Sequence, residues 1–164
     1  MKQINKYILG HLENPKFSIC ERLHINKDTI NYYNYHPKTY DELEELVNKL
    51  MKERGDDADL NDIDTSEITN MYALFYDSFF NGDISKWDVS NVKNMGCMFF
   101  NSNFNGDISQ WNVSKVEDMG TMFQYSEFTG ENGDISKWDV SNVKNMYHMF
   151  YKSPLEKNPP KWYK

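Results

Sequence analysis

At 164 residues, with 39% apolar and 15% aromatic side chains, the chain can build one core and is too rich in rings for a disordered tail. A net charge of −7 with only two arginines, Arg22 and Arg54, opposes a grip on a phosphate backbone, which needs clustered basic groups, so nucleic acid is not an expected partner. No run approaches the roughly eighteen apolar residues of a membrane span.

The start, MKQINKYILGHLENP, has no continuous apolar stretch, small-residue cleavage site or lipobox. No signal peptide is read, and a cytoplasmic location is expected. Cys20 and Cys97 stand far apart, which fits a reduced compartment better than a disulfide scaffold. Ile4, Tyr7, Ile8 and Leu12 have helical spacing up to Asn14-Pro15. Residues 17–35 read as one or two short strands or a loop.

The clearest single element is a helix over residues 39–54. Thr39 with Glu42 forms a capping box, and Leu43, Leu46, Val47, Leu50 and Met51 make one apolar stripe. Acidic residues crowd its start, basic ones its end, and Gly55 stops it. Residues 1–60 are thus expected to form an N-terminal cap and residues 61–164 a repeat array.

That array repeats every 24 residues. Residues 81–104 read NGDISKWDVSNVKNMGCMFFNSNF, residues 105–128 read NGDISQWNVSKVEDMGTMFQYSEF, and residues 132–155, after the insertion of Thr129, Gly130 and Glu131, read NGDISKWDVSNVKNMYHMFYKSPL. A weaker half-copy opens at Ile63, and a truncated copy ends in PPKW at Trp162. A period of this length predicts a solenoid whose coils bury their apolar sides by stacking.

Within each coil, Ile84, Trp87 and Val89 and their equivalents have the spacing L-x-x-L-x-L, predicting a short parallel strand. Ser90, Ser114 and Ser141 then precede apolar residues at relative positions 0, 3, 6 and 7, predicting a capped helix of two to three turns. The Asn-Gly-Asp turn is expected to place its glycine at positive φ. The fold class expected is therefore α/β, a leucine-rich-repeat-like solenoid with a helical N-terminal cap. Seven of the nine methionines fall in two columns, 71/95/119/146 and 98/122/149, expected to fill gaps between coils.

The pattern GDIS-x-W-[DN]-V-S-x-V-x-[ND]-M-x-x-M-F resembles the BspA-like leucine-rich-repeat proteins, bacterial surface repeats of about 24 to 26 residues, over residues 62–162. The resemblance implies a leucine-rich-repeat fold and, as an expectation, an adhesive role, often at the cell surface.

The Asp columns 83/107/134 and 88/112/139 (Asn at 112) invite a calcium or a hydrolytic reading. One Asp per turn is sparser than calcium repeats require, and a catalytic pair must differ from its neighbours, whereas these recur in every coil. A structural Asn/Asp ladder is expected, with no metal and no cofactor. His11, His24, His36 and His148 have no metal-ligand spacing.

Two outward surfaces remain. Tyr76, Phe100, Tyr147 and Tyr151 are aromatics without a core duty, on the expected helix face. Gln124 interrupts their column, predicting two patches, Tyr76 with Phe100 and Tyr147 with Tyr151. Lys86, Asp88, Gln110, Asn112, Lys137 and Asp139 form a nearly uniform strand face. Solvent-facing rings anchor protein interfaces more strongly than solvated charges. The reading is a non-enzymatic module binding another protein through the aromatic face. The alternatives are a surface or virion-type adhesin taking glycan or host protein on the strand face, and a hydrolase on a solenoid scaffold. Oligomeric state and the partner's identity are left open.

Overall fold

The computed structural model describes residues 33–163. The N-terminal helix expected around Ile4 to Leu12, the strands or loop expected before Tyr33, and His11, His24 and Cys20 lie outside them. Contacts divide the chain into Met1–Asn34 and Tyr35–Lys164; the capped helix, the repeats and their core all belong to the second unit.

Helix α1 spans Tyr40–Arg54. Thr39 Oγ1 accepts the Glu42 N–H at 3.2 Å, the Glu42 carboxylate accepts the Lys38 N–H in return, and Gly55 ends the helix at φ 92°. Leu43, Val47 and Leu50 are buried, with Leu46 and Met51 at the margin. The Arg54 guanidinium then holds both oxygens of Asp62 at 2.9 and 3.0 Å, tying the helix end to the first repeat.

The repeats do stack in a 24-residue register, but not as strands and helices. Among the described residues there is one α-helix, two 3-10 turns at Ile135–Lys137 and Pro154–Glu156, and no sheet; backbone pairing of the β type is limited to five isolated parallel bridges. The α/β leucine-rich-repeat-like solenoid is thereby overturned, and with it the strand-plus-helix coil. No strand forms at residues 86–89. Parallel bridges join Asn70, Asn94, Asp118 and Asn145 instead.

The reason lies in the backbone. Each repeat is a rung of successive turns, numbered rung 1 (57–80), rung 2 (81–104), rung 3 (105–128), rung 4 (132–155) and the beginning of rung 5 at Trp162. Along the stretch whose spacing predicts a helix, φ turns positive every fourth residue: Ala73 and Asp77, Cys97 and Asn101, Thr121 and Tyr125, His148 and Lys152 lie between 49° and 59°. A left-handed residue cannot continue a right-handed helix. Hydrogen bonding alternates accordingly. In rung 2, the N–H groups of Met98 and Phe100 close local turns onto Met95 and Cys97. Those of Met95, Cys97, Phe99 and Asn101 donate to Asp118, Gly120, Met122 and Gln124 of rung 3 at 2.9 Å each. Every buried amide of this half-rung is thus paired, locally or with the next rung.

Ser90, Ser114 and Ser141 are accordingly not helix N-caps. Their N–H groups donate to Asp88, Asn112 and Asp139 in tight side-chain turns. The glycines of the Asn-Gly-Asp turns also depart from expectation: Gly82, Gly106 and Gly133 are not at positive φ. They are required by close approach, since a Cβ on Gly82 would lie 2.0 Å from the Ala58 carbonyl oxygen.

The core is built of columns. Trp87, Trp111 and Trp138 are 3%, 4% and 5% exposed, and each indole N–H donates to a carbonyl one rung back, on Leu60, Ile84 and Ile108. Trp162 repeats the bond to Ile135. Phe75, Phe99, Phe123 and Phe150 stack ring on ring at 5.5–5.8 Å, and Phe80, Phe104 and Phe128 form a second file. The methionine columns are buried between them, Met146 alone being partly open. The insertion at residues 129–131 leaves the register intact: the Thr129 N–H donates to Asn105 Oδ1 just as the Asn105 N–H donates to Asn81 Oδ1 one rung earlier.

Candidate functional site: an aromatic face on the turns

The left-handed turns push every fourth or fifth side chain outward, and in this chain many of those are rings. Tyr76 is 52% and Tyr147 68% exposed, and Tyr72, Phe79 and Tyr125 also face solvent. Phe100 and Tyr151 are half-buried. Tyr76 and Phe100 stack at 4.8 Å and 4°.

The gap expected at Gln124 is filled. Tyr125, one residue on, meets Phe100 edge-on at 5.5 Å and Tyr151 at 5.9 Å. His148 lies against Tyr151 at 4.8 Å and Tyr147 at 3.9 Å. The two expected patches are therefore one run, Tyr76, Phe100, Tyr125, Tyr151, His148, Tyr147, crossing rungs 1 to 4. Tyr125 escapes a reading by columns because it belongs to the column of Asp77, Asn101 and Lys152. Its backbone is left-handed, φ 59°, as throughout that column, and its ring reaches across to Phe100 and Tyr151 of the neighbouring one. The Lys152 ammonium sits 5.1 Å from the Tyr125 centroid and 5.4 Å from that of Tyr151, a cation held over two ring faces.

Beside this run, the Cys97 thiol bridges Thr121 Oγ1 at 2.9 Å and the Tyr72 hydroxyl at 3.6 Å. The contact with Cys97 holds the Tyr72 hydroxyl above its ordinary pKa.

The second expected surface, Lys86, Asp88, Gln110, Asn112, Lys137 and Asp139, is exposed as anticipated, but on turns rather than a strand. Asp88, Asn112 and Asp139 each spend an oxygen on the N–H two residues on, at 3.0–3.2 Å. Asp83, Asp107 and Asp134 do the same for Ser85, Ser109 and Ser136. Hydrogen bonds from the Ser141 hydroxyl and N–H hold Asp139 below the usual carboxylate range. A further outward cluster, not singled out from sequence, sets Lys93, Lys115 and Lys144 around Glu117 and Asn142. Lys144 is committed to Glu117, and Lys115 to Asn91. No helix among the described residues is long and apolar enough to cross a membrane.

Comparison with curated proteins and with solved structures finds no match. A protein-family profile does match, over residues 42–162, a span that takes in nearly all of α1, every rung and the whole aromatic run. By that coverage the chain belongs to the family described as Mycoplasma protein of unknown function, DUF285.

Proposed function

We propose that this chain is a non-enzymatic repeat module that binds another protein through the aromatic face of its turns. The observation that supports this is the continuity of the run from Tyr76 to Tyr147, rings in mutual contact across four rungs and open to solvent at both ends. Rings preordered by contact lose little rotamer freedom on binding, and a buried aromatic anchor contributes about 2 kcal/mol or more to an interface. Solvated Lys and Asp contribute about 0–1 kcal/mol each. The likeness of the repeat pattern to BspA-like surface proteins adds a second, sequence-level reason to favour a binding role, separate from the fold.

Adhesion through Lys86, Asp88, Asn112 and their equivalents is the weaker reading, because the acidic and amide side chains there already hold their own turns. The test is capture of partners by the full chain, compared with the triple variant Tyr76→Ala/Phe100→Ala/Tyr151→Ala and with Lys86→Ala/Asp88→Ala/Asn112→Ala. Loss of the captured protein in the first variant alone is expected. Loss in the second alone moves the site to the other surface. Circular dichroism melts of both variants guard against unfolding.

A further inference from the structure

Three Asn-Gly pairs recur in the repeats, Asn81-Gly82, Asn105-Gly106 and Asn132-Gly133, and the fold does not hold them alike. Glycine leaves the backbone nitrogen after each asparagine unshielded by a Cβ, and the N–H groups of all three glycines have no partner among the described residues. What differs is the asparagine. Asn81 Oδ1 accepts the Asn105 N–H at 2.8 Å, and Asn105 Oδ1 accepts the N–H and the hydroxyl of Thr129 at 2.9 and 3.1 Å. Each of those two side chains therefore holds backbone from further along the stack.

The backbone differs in the same way. The N–H groups of Asn81 and Asp83 donate to the carbonyls of Asp56 and Ala58 at 2.9 and 3.1 Å, and the Asn105 N–H is held by Asn81 Oδ1. At the insertion these anchors are missing. The N–H groups of Asn132, Gly133 and Asp134 have no partner among the described residues, and that of Glu131 bonds only within the corner, to Thr129 Oγ1. Asn132 is exposed. Its side chain makes one bond, from Nδ2 to the Asn105 carbonyl at 2.6 Å, and its Oδ1 holds no backbone.

We propose that Asn132-Gly133 is a modification site, at which the folded chain deamidates spontaneously with water as the only co-reactant. The Gly133 nitrogen gives up its proton and bonds to Asn132 Cγ, the Cγ–Nδ2 bond breaks, and the amide leaves as ammonia. The five-membered imide so formed takes up one water, and opening at one carbonyl or the other gives aspartate or isoaspartate. One water is consumed and one ammonia released, and nothing is oxidised or reduced. Closing the ring requires the asparagine and its backbone to rotate, a local opening. Asn132 makes it without releasing backbone from another rung, whereas Asn81 and Asn105 do not. The product exchanges the Nδ2 donor for a carboxylate, and isoaspartate adds a backbone methylene. Both changes fall on a corner whose register the Thr129 N–H already keeps, so rungs 3 and 4 stay paired after conversion.

The test is incubation of the full chain in mildly alkaline buffer, folded and in concentrated urea, followed by fragmentation mass spectrometry of tryptic peptides. Cleavage at Lys86, Lys93, Lys115 and Lys137 puts the three pairs on separate peptides. In the folded chain Asn132 is expected to convert about tenfold or more faster than Asn81 and Asn105, and in urea the three rates converge. Equal rates in the folded chain, or earlier conversion at Asn81 or Asn105, overturn the proposal. So does an Asn132 that stays an amide in the folded chain while converting in urea. A spread of rates that persists in urea assigns the preference to the flanking residues rather than to the fold and overturns it equally.

Discussion

The indole N–H of Trp111 reaches back one rung to the carbonyl of Ile84, 3.3 Å away. The same bond recurs from Trp87, Trp138 and Trp162, and it spans 27 residues except where the insertion stretches it to 30. Each indole therefore fills the core of its own rung and adds a second hydrogen bond to a carbonyl of the one before, which already accepts a turn N–H.

Trp111→Ala should accordingly cost about 3–5 kcal/mol in urea unfolding from the lost packing. Trp111→Phe keeps most of the volume and loses the indole bond, while the Ile84 carbonyl still accepts the Trp87 N–H at 3.1 Å, and it should cost only about 0.5–1.5 kcal/mol. Trp162, only half-buried, should cost less on truncation than Trp111. Equal losses at the two sites would contradict the stacked arrangement.

Much of this fold is legible in the residues. The columns of Trp, Met and Phe recur at 24, and α1 has its caps, stripe and charges written in order. The turns are not legible in the same way, because Val92, Met95, Met98 and Phe99 have a spacing that a helix and a train of tight turns both satisfy. The discriminating sign is local: Asn94, Asp118 and Asn145 each accept the N–H two residues on, a bond that competes with helix. Tyr125 escapes notice for a related reason. Column position places a ring only when φ is known, and nothing about a tyrosine announces a left-handed backbone.

Left-handed backbone at Thr121 carries a cost, φ being 54° at a β-branched residue. Thr121→Asn, a residue tolerant of that region, should stabilise by about 1 kcal/mol, read as a rise in the denaturant midpoint. Thr121→Val should not, because it keeps the branching and loses the hydroxyl contacts with Cys97 and the Gly120 carbonyl.

Two glycines should respond differently to alanine. Gly82→Ala drives a methyl to 2.0 Å from the Ala58 oxygen, a backbone clash that should cost about 3 kcal/mol or more and weaken the junction of rungs 1 and 2. At Gly55, nothing lies within 4 Å of the added carbon, but φ is 92°. The cost there should be about 1 kcal/mol, confined to the end of α1. Differential scanning calorimetry distinguishes the two.

Acid should loosen the turns. Ser136 bonds hold the Asp134 carboxyl low, and Ser141 bonds hold that of Asp139. At Asp83 burial opposes ionisation, and bonds from Ser85 and Asn61 outweigh it. Groups lowered on folding contribute stability that is fully present above the ordinary carboxylate value of about 4 and lost as pH falls through the lower folded values. The melting temperature should therefore drop as pH falls below about 4. Asp83→Asn/Asp134→Asn/Asp139→Asn should flatten that drop, since Asn112 already holds the Ser114 N–H without a titrating group.

The insertion of Thr129, Gly130 and Glu131 has a mechanical consequence. It lies at a corner between two rungs whose pairing it does not alter, so it adds contour length without adding an interface. Pulled from its last residues in an optical trap, the stack should peel rung by rung at similar force. An ordinary 24-residue rung should release about 80 Å of chain and the one carrying the insertion about 10 Å more, at roughly 3.5 Å per residue. One long step among shorter ones would give the direction of unravelling in every single trace.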